Sequence, residues 1–203
     1  MGKIDHTIVV RKRCTYVDAK GKRCSKETTI THPYCAAHTQ KVLHFKVAKS
    51  KVPGAGLGLF TLKPIKKGEV ALFYEGEKLK VADYNERYDK EGFGEYGMTL
   101  GTKYVIDARK TSSGLGRYVC DYTGSGKKAN VKYYDNEGKI EITAKRDIEA
   151  GEELMVSYGK EMRTAMGFQH INEEEKKRLK KEKKAKKKEK KRLKKEKKEI
   201  VIA

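Results

Sequence analysis

The chain has 203 residues, a net charge of +20 at pH 7, and equal shares, 37% each, of charged and hydrophobic residues. This length allows one domain of ordinary size with appended segments. No run of 18 apolar residues occurs and the first residues lack an apolar core, so the sequence predicts neither a membrane span nor a secretory signal. The positive charge favours DNA, RNA or a nucleoprotein surface as partner, although it also fits plain solubility.

The N-terminal segment contains a cluster of residues that bind metals. Three of the four cysteines and one histidine are separated by nine, ten and two residues: Cys14, Cys24, Cys35 and His38. Clustered cysteines without a secretory signal favour a metal over disulfides, and tetrahedral zinc takes four such ligands. We therefore expect a structural zinc site, with His32 and His44 as substitutes for the fourth ligand. The alternative is three reduced cysteines in a loop.

This spacing resembles that of the plant WRC domain, a small module with three cysteines and one histidine that is associated with DNA binding. The resemblance implies a zinc-binding module over residues 1–42 and nucleic acid as a partner. A segment this short buries little core, so a bound metal would have to supply its folding free energy.

The centre of the chain is rich in β-branched and aromatic residues. Four segments, bounded mostly by Gly, Asp or Asn, predict strands: 70–77, 103–109, 130–135 and 139–148. A helix is expected within residues 81–92, and no long helical period appears elsewhere in this region. The predicted fold class is therefore mainly β with short helices.

Short motifs in this region follow one another in a characteristic order. They are GAGLGLF (54–60), IKKGEVALFYEGE (65–77), YVIDA (104–108), LGRYV (115–119), ANV (129–131) and RDIEAGEELMVSYG (146–159). Together they resemble the SET domain, the fold of protein lysine methyltransferases, and their spacing is most similar to the branch that monomethylates histone tails. The resemblance implies a SET-type knotted β fold for a domain at 45–160. It also implies transfer of methyl groups from S-adenosylmethionine to a lysine side chain of a protein.

The resemblance assigns three tyrosines to the substrate side of the site. Tyr158, in the closing SYG, matches the catalytic tyrosine, whose hydroxyl orients the amine and the methyl group. Tyr104 matches a family landmark near the substrate strand, and Tyr96 is placed in the lysine channel by a looser alignment. The chain has 12 tyrosines, most of which must simply pack, so only Tyr158 is fixed by its neighbours.

The cofactor side matches the family at its glycines and departs from it further along the chain. Three residues match the backbone cradle of the cofactor: Gly56, Leu57 and Gly58. Arg117 matches the arginine of the next family motif, but the Asn and His that normally follow are replaced by Cys120 and Asp121. A thiol is a weak donor and acceptor, so the loss of the amide costs ~1.5–3 kcal/mol of cofactor binding. Asp121 would offset this loss if its carboxylate accepts from the cofactor's ammonium.

Two further departures concern the lysine channel. Val156 stands two residues before Tyr158, where the family usually has Phe or Tyr, and the extra room predicts di- or trimethyl-lysine as product. No cysteine-rich segment follows Tyr158, so residues 160–170 or the substrate itself would have to close the channel.

Residues 161–203 are interpreted as a basic linker and Lys-rich tail. Between residues 171 and 203, 17 Lys or Arg stand against 7 Glu, and KKRLKKEKK occurs twice, at 176–184 and 190–198. This composition predicts a solvated helix that frays into disorder and acts as a nuclear localisation signal and a phosphate-binding arm. The alternative is a tail that only confers solubility.

Taken together, these features predict a nuclear lysine methyltransferase that acts on a histone tail or another basic protein near nucleic acid. Acidic residues between positions 75 and 95 either supply a groove for such a substrate or form a solvated face. The competing interpretation is a catalytically weakened SET fold that serves as a chromatin or nucleic-acid binding module, which Cys120 favours. No membrane partner is expected.

Overall fold

The computed structural model describes residues 6–89 and 93–166. These residues contain short strands, in chain order: β1 Lys12–Arg13, β2 Glu27–Thr28, β3 Phe45–Lys49, β4 Leu57–Thr61, β5 Val70–Tyr74, β6 Glu77–Lys80, β7 Gly97–Leu100, β8 Tyr104–Asp107, β9 Cys120–Asp121, β10 Val131–Asn136, β11 Lys139–Ala144 and β12 Met155–Val156. The α-helices among them are α1 Ala36–Leu43, α2 Val81–Arg87 and α3 Gly159–Ala165. The prediction of a mainly β fold with short helices is therefore confirmed.

Two three-stranded antiparallel sheets form the framework of the fold, one in the order β10-β11-β5 and the other in the order β6-β8-β7. Smaller pairs join β1 to β2 and β3 to β4, both antiparallel. Strand β12 returns from the far end of the chain to pair in parallel with β9, Met155 opposite Cys120 and Val156 opposite Asp121. This last pair brings two motifs that are distant in sequence into contact.

The β10–β11 hairpin shows how the sequence sets the framework. Its two-residue turn places Glu137 and Gly138 at positive φ, 49° and 79°, which matches the right-handed twist of the flanking strands. Side chains then alternate between the two faces of the sheet, with Val131 buried and Lys132 exposed. One face of this hairpin therefore contributes to the core and the other meets solvent.

The core lies between the sheets and is apolar. Its most deeply buried members are Leu59, Ile65, Ala108, Val119, Val131, Ile142, Ile148 and Leu154. By contrast, the buried side chains of the described N-terminal segment, residues 6–44, are cysteines, threonines and one histidine: Cys14, Thr28, Thr31, His32, Cys35 and Thr39. The N-terminal segment thus lacks an aliphatic core in its described part, as the sequence predicts for a metal-dependent module.

Hydrogen bonds fasten the N-terminal segment to the sheet domain. The Ile8 amide donates to the Arg109 carbonyl at 2.9 Å, and the Thr111 amide donates to the Ile8 carbonyl at 2.9 Å. The Tyr118 hydroxyl donates to the Ile30 carbonyl at 3.0 Å. Residues 6–166 therefore belong to one compact unit, Met1–Met166.

The predicted strands correspond to β5, β8, β10 and β11, and the predicted helix to α2. The helix ends at Arg87, and the ring of Tyr88 packs inward with 2% exposure. No helix within the described ranges is long and apolar enough to cross a membrane. The predicted tail helix and both KKRLKKEKK copies lie outside the described residues.

Candidate functional site

A cavity of about 400 Å³ opens between the two sheets. We call it the tyrosine cavity, and its lining residues are Tyr74, Glu95, Tyr96, Gly97, Met98, Thr99, Arg117, Val119, Tyr133, Tyr158, Gly159, Lys160 and Met162. Four aromatic rings and two methionines give it apolar walls, while the phenol hydroxyls and the side chains of Glu95, Thr99, Arg117 and Lys160 supply the polar groups. Such a lining suits a long aliphatic chain with a polar end.

Tyr158 lies in this cavity and is held at both of its ends. Its hydroxyl donates to the Val119 carbonyl at 3.0 Å, and its amide donates to the Asp121 carboxylate at 2.7 Å. Burial raises the pKa of the Tyr158 phenol well above its usual value, and the acidic groups of Cys120 and Asp121 raise it further when they are ionised. The phenol therefore remains protonated near neutral pH, with a fixed direction for its hydroxyl.

Two other tyrosines of the cavity were not predicted from the sequence. The Tyr74 hydroxyl donates to the Tyr96 carbonyl at 2.8 Å, and the Tyr74 and Tyr133 rings meet edge to face at 5.6 Å. Burial raises the pKa of both Tyr74 and Tyr133 well above the usual value for a phenol. Alternate side chains of a strand face the same side of a sheet, and this alternation along β5 and β10 could have identified Tyr74 and Tyr133 as inward-facing.

Arg117 and Tyr96 form another part of the wall. The guanidinium lies 4.2 Å from the centroid of the Tyr96 ring, and its Nε donates to the Ala108 carbonyl at 2.9 Å. Arg117 is 8% exposed, so its charge lies in a poorly solvated place beside the cavity. A fixed positive charge disfavours a second one nearby, and a lysine entering the cavity would more readily lose its proton.

Tyr104 lies elsewhere. It pairs with Lys80 and Leu100 in the β6-β8-β7 sheet, and the Lys78 ammonium lies 4.3 Å from its ring centroid. Among the described residues that line the tyrosine cavity, Tyr104 does not appear. The structure therefore brings Tyr96 and Tyr158 together and leaves Tyr104 outside.

The predicted cofactor glycines form a turn into β4 that we call the glycine cradle, Gly56–Gly58. Gly56 has a φ of +70°, and a Cβ built on it would meet nothing within 4 Å, so its backbone faces open space. A Cβ on Gly58 would instead overlap the Glu153 carboxylate and lie 3.2 Å from the Ser50 Cα. Glu153, 1% exposed, accepts hydrogen bonds from the Ser50 hydroxyl and the Lys51 amide. A backbone open on one side and supported on the other fits the close approach of a ligand.

Cys120 lies directly beside the glycine cradle. Its thiol donates to the Leu57 carbonyl at 3.2 Å, and the side chain packs with Val52 and Met155. Burial raises the pKa of the Cys120 thiol to about 11, so it stays protonated at neutral pH. The thiol stands at the sequence position where the resemblance predicts an amide, and it already donates within the chain.

The Asp121 carboxylate, 3% exposed, connects the two halves of the site. One oxygen accepts from the Thr123 amide at 2.8 Å and the other from the Tyr158 amide at 2.7 Å. Each oxygen therefore already has one backbone donor. Asp121 holds Tyr158 in place from the strand that also carries Cys120.

The segment after Tyr158 contributes to the cavity through α3. Gly159, Lys160 and Met162 are among the lining residues. The expectation that residues 160–170 close the channel applies to this part, and residues 167–170 lie outside the described residues. Val156 is 2% exposed and is not among the described lining residues, so its side chain contacts the core beneath the cavity.

The four predicted metal ligands lie together at the start of α1. The sulfurs of Cys14, Cys24 and Cys35 and a ring nitrogen of His38 all lie within 4.8 Å of one another. His38 Nδ1 is 3.5 Å from Cys14 Sγ and 3.3 Å from Cys35 Sγ. A tetrahedral zinc ion with bonds of about 2.0–2.3 Å requires ligand separations of roughly 3.5–3.8 Å, so the donor set fits zinc.

The two substitute ligands are not part of this cluster. His32 is buried, and its Nε2 makes a hydrogen bond with the Val10 carbonyl at 2.8 Å. His44 ends α1 in a left-handed conformation. The Tyr16 ring stacks on His38 at 3.9 Å, which fixes the imidazole plane.

Comparison with protein families gives one match, to the SET domain, over residues 56–159. The N-lysine methyltransferase KMT5A-A of Danio rerio is 32% identical over 117 residues, which is 53% of this chain and 33% of that protein. A histone-lysine N-methyltransferase, H3 lysine-4 specific, of Debaryomyces hansenii is 30% identical over 158 residues, which is 76% of this chain and 14% of that protein. The chain thus spans a third or less of the length of these two relatives.

A solved structure also resembles the chain. The polycomb repressive complex 2 of Chaetomium thermophilum matches with a TM-score of 0.48 and 28% identity, covering 57% of this chain and 15% of that chain.

Proposed function

Because the chain belongs to the SET-domain family, we propose that it transfers methyl groups from S-adenosylmethionine to a lysine side chain of a protein. The two relatives described above bear the names of lysine methyltransferases. A histone or another protein associated with nucleic acid is the proposed substrate.

One observation carries this proposal: three consecutive residues, Val119 and the two residues of β9, contact both the tyrosine cavity and the glycine cradle. The Val119 carbonyl receives the Tyr158 hydroxyl in the cavity, and the Cys120 thiol contacts the glycine cradle. The Asp121 carboxylate then holds the Tyr158 backbone. A cavity for an aliphatic chain and a cradle for a second ligand therefore meet at one strand, as a transfer between two bound molecules requires.

The residues of the chain would act by orientation and by control of a proton. The apolar walls of the tyrosine cavity desolvate an incoming ammonium, and the positive charges of Arg117 and Lys160 outnumber the carboxylate of Glu95, so the neutral amine is favoured. The Tyr158 hydroxyl, fixed by the Val119 carbonyl, orients the amine within the cavity. The backbone of Gly56–Gly58, with Cys120 beside it, would hold S-adenosylmethionine, which supplies an electrophilic methyl group when bound.

A methylation assay with matched tyrosine variants tests the proposal. Wild type, Tyr158→Phe and Tyr104→Phe are incubated with S-adenosylmethionine, core histones and a lysine peptide array, and products are read by mass spectrometry. We expect Tyr158→Phe to lose activity by a factor of about 10² or more, and Tyr104→Phe to change it little, because Tyr104 lies outside the cavity. Equal losses in both variants, or no product with wild type on any substrate, would contradict the proposal.

Cys120 supports a second candidate, a SET fold with weakened catalysis that binds chromatin or nucleic acid. The thiol replaces the side-chain amide of the family and donates to Leu57 within the chain. Under this alternative the wild type would bind its macromolecular partner but not S-adenosylmethionine.

We also propose that Cys14, Cys24, Cys35 and His38 bind one structural zinc ion. Elemental analysis of purified protein should give one zinc per chain, and Cys24→Ser should reduce this to well below one. Cys120→Ser is the matched control because Cys120 lies outside the cluster and should leave the zinc content unchanged. Equal zinc loss in both variants would contradict the assignment.

The proposed organisation is a zinc module at residues 1–42, a SET domain at 45–160 and a basic tail at 161–203. The charge of the module and tail supports contact with nucleic acid and a nuclear location. Cellular imaging of the full chain and of a chain ending at residue 166 tests the role of the tail. Retention of the shorter chain in the nucleus at the same level would contradict a targeting role for the tail.

A further inference from the structure

The sheet β10-β11-β5 has a second face, opposite the tyrosine cavity. Tyr133 points into the cavity, whereas the next residue, Tyr134, is 53% exposed on the outer face. Phe73, on β5, is also exposed there, at 42%. In the ladder, Tyr134 pairs with Glu141 and Glu141 pairs with Phe73, so the two rings share one row. Two exposed aromatic rings in register on one sheet face are unusual for a surface that contacts only water.

Lysines surround both rings. Lys132 Nζ lies 5.5 Å from the Tyr134 centroid, and Lys139 Nζ lies 5.9 Å from the Phe73 centroid. Lys67 and Lys145 border a groove of about 490 Å³ that adjoins Tyr134. None of these four ammonium groups forms an ion pair with a carboxylate of the described residues.

Within β10, β11 and β5 the face contains one carboxylate, and it is already engaged; the exposed Glu69 and Glu75 flank β5. Glu141 accepts a hydrogen bond from the Asn136 side-chain amide at 2.9 Å. The remaining polar residue of the second row, Thr143, lies between Lys132 and Val70 in the ladder. Along the three strands the lysines of the face therefore outnumber its carboxylates, with aromatic rings between the charges.

These features match one class of polymer better than others. Neighbouring strands are about 4.8 Å apart, so rings on the two outer strands lie roughly 10 Å apart, a distance that successive unstacked bases can span. Phosphates attract lysines, and every base offers a face that stacks on an aromatic ring. The major groove of a duplex admits a helix or a two-stranded ribbon, and the three-stranded sheet β10-β11-β5 is wider than either. An acidic peptide would satisfy the lysines but would leave the rings without a partner.

We propose that this outer face, which we call the lysine–aromatic face, binds single-stranded nucleic acid. Bases stack on Tyr134 and Phe73, and Lys67, Lys132, Lys139 and Lys145 contact the phosphates. The face lies on the opposite side of β10 from the tyrosine cavity, so a nucleic acid strand and a protein substrate can bind at the same time. This inference does not depend on methyl transfer.

The test is fluorescence anisotropy with the full chain, using labelled (dT)20 and a 20-base-pair duplex. Because the basic tail binds both probes through phosphates, the informative quantity is the ratio of the two dissociation constants. We expect Tyr134→Thr and Phe73→Thr, which keep β-forming side chains, each to weaken (dT)20 binding by at least about fivefold. Binding of the duplex by these variants should weaken by less than about twofold, and Tyr134→Phe should bind (dT)20 like wild type.

Charge is tested with a matched pair of double variants. Lys132→Ala with Lys139→Ala should weaken (dT)20 binding more than Lys46→Ala with Lys103→Ala, which removes two exposed lysines outside the face. Circular dichroism confirms that each variant is folded. Equal effects of the two double variants, or equal effects of Tyr134→Thr on both probes, would overturn the proposal. Polyglutamate competes only for the lysines, so it should displace (dT)20 at a lower concentration from Tyr134→Thr than from wild type. Equal displacement concentrations would also overturn the proposal.

Discussion

The tyrosine cavity and the glycine cradle lie on either side of β9, yet they are built differently. In the cavity, side chains bond to backbone carbonyls: Tyr158 to Val119, Tyr74 to Tyr96, and Arg117 to Ala108. In the cradle, the backbone of Gly56–Gly58 is the proposed recognition surface, and the Glu153 side chain supports it. Cys120 stands beside the cradle where the resemblance predicts an amide, whereas Tyr158, the proposed catalytic tyrosine, lies in the cavity. Substrate orientation and cofactor affinity can therefore be changed separately.

The largest effect is expected from a change that breaks the cradle alone. In Gly58→Ala the new methyl group overlaps the Glu153 carboxylate, which must leave its bonds to Ser50 and Lys51 inside the core. A buried carboxylate that loses its hydrogen bonds costs about 1.5–3 kcal/mol for each bond lost. We predict a loss of unfolding free energy of about this size in urea titrations, together with loss of S-adenosylmethionine binding.

Gly54→Ala is the matched control for this prediction. Gly54 has a φ of +77° in the same turn, but a Cβ there meets nothing within 4 Å. Its cost should be limited to the left-handed conformation, about 1–2 kcal/mol. A loss as large as that of Gly58→Ala would show that backbone strain, not the contact with Glu153, holds the cradle.

A substitution of Val156, in the strand that pairs with β9, sharpens the comparison of cavity and cradle. Val156 is 2% exposed in β12, so Val156→Tyr overfills the core and should cost about 1–3 kcal/mol of stability. If the extra volume extends toward the tyrosine cavity, mass spectrometry should show a shift from di- or trimethyl-lysine in wild type to monomethyl-lysine. A wild type that adds a single methyl group only would contradict the assignment of product number to Val156.

The smallest predicted effect concerns the cavity alone and depends on pH. Burial raises the pKa of the Tyr133 phenol well above its usual value, whereas an unfolded chain ionises this group near ~10. The stability it contributes is therefore complete below pH ~10 and is lost as the pH rises further, by up to about 1.4 kcal/mol per pH unit. Tyr133→Phe should reduce this alkaline slope in urea titrations.

Tyr134→Phe provides the comparison for the pH prediction, because Tyr134 follows Tyr133 on the same strand but lies exposed on the outer face. It should leave the alkaline slope unchanged. An identical reduction in both variants would show that the slope does not report burial in the cavity.

The parts of the site that could be predicted are those carried by contiguous motifs. Tyr158 was identified by its neighbours in SYG and the cradle by GAGLGLF, and the metal ligands followed from the spacing of cysteines and histidine. Strand positions followed from composition and turns, since those signals are local. These assignments needed no knowledge of long-range contacts.

The remainder depended on contacts between distant segments. The sequence alone does not distinguish Tyr74 and Tyr133 from the other ten tyrosines. The register of β5 and β11, with its irregularity between Ile142 and Thr143, determines which side chains of this sheet face inward. The Cys120 thiol finds its acceptor, Leu57, 63 residues away in the chain. Tyr104 was placed by motif alone, and it pairs with Leu100, one residue beyond the part of β7 that lines the cavity.

Calorimetric titration of the full chain with S-adenosylmethionine, beside the Cys120→Asn variant, tests the central claim most directly. A catalyst that tolerates the thiol should bind in the micromolar range as wild type. Asn in place of Cys120 should tighten binding by about 10- to 100-fold, the gain expected from one hydrogen bond to a charged ligand. No binding by wild type, with binding restored by Cys120→Asn, would contradict the proposed methyltransferase and favour the binding module.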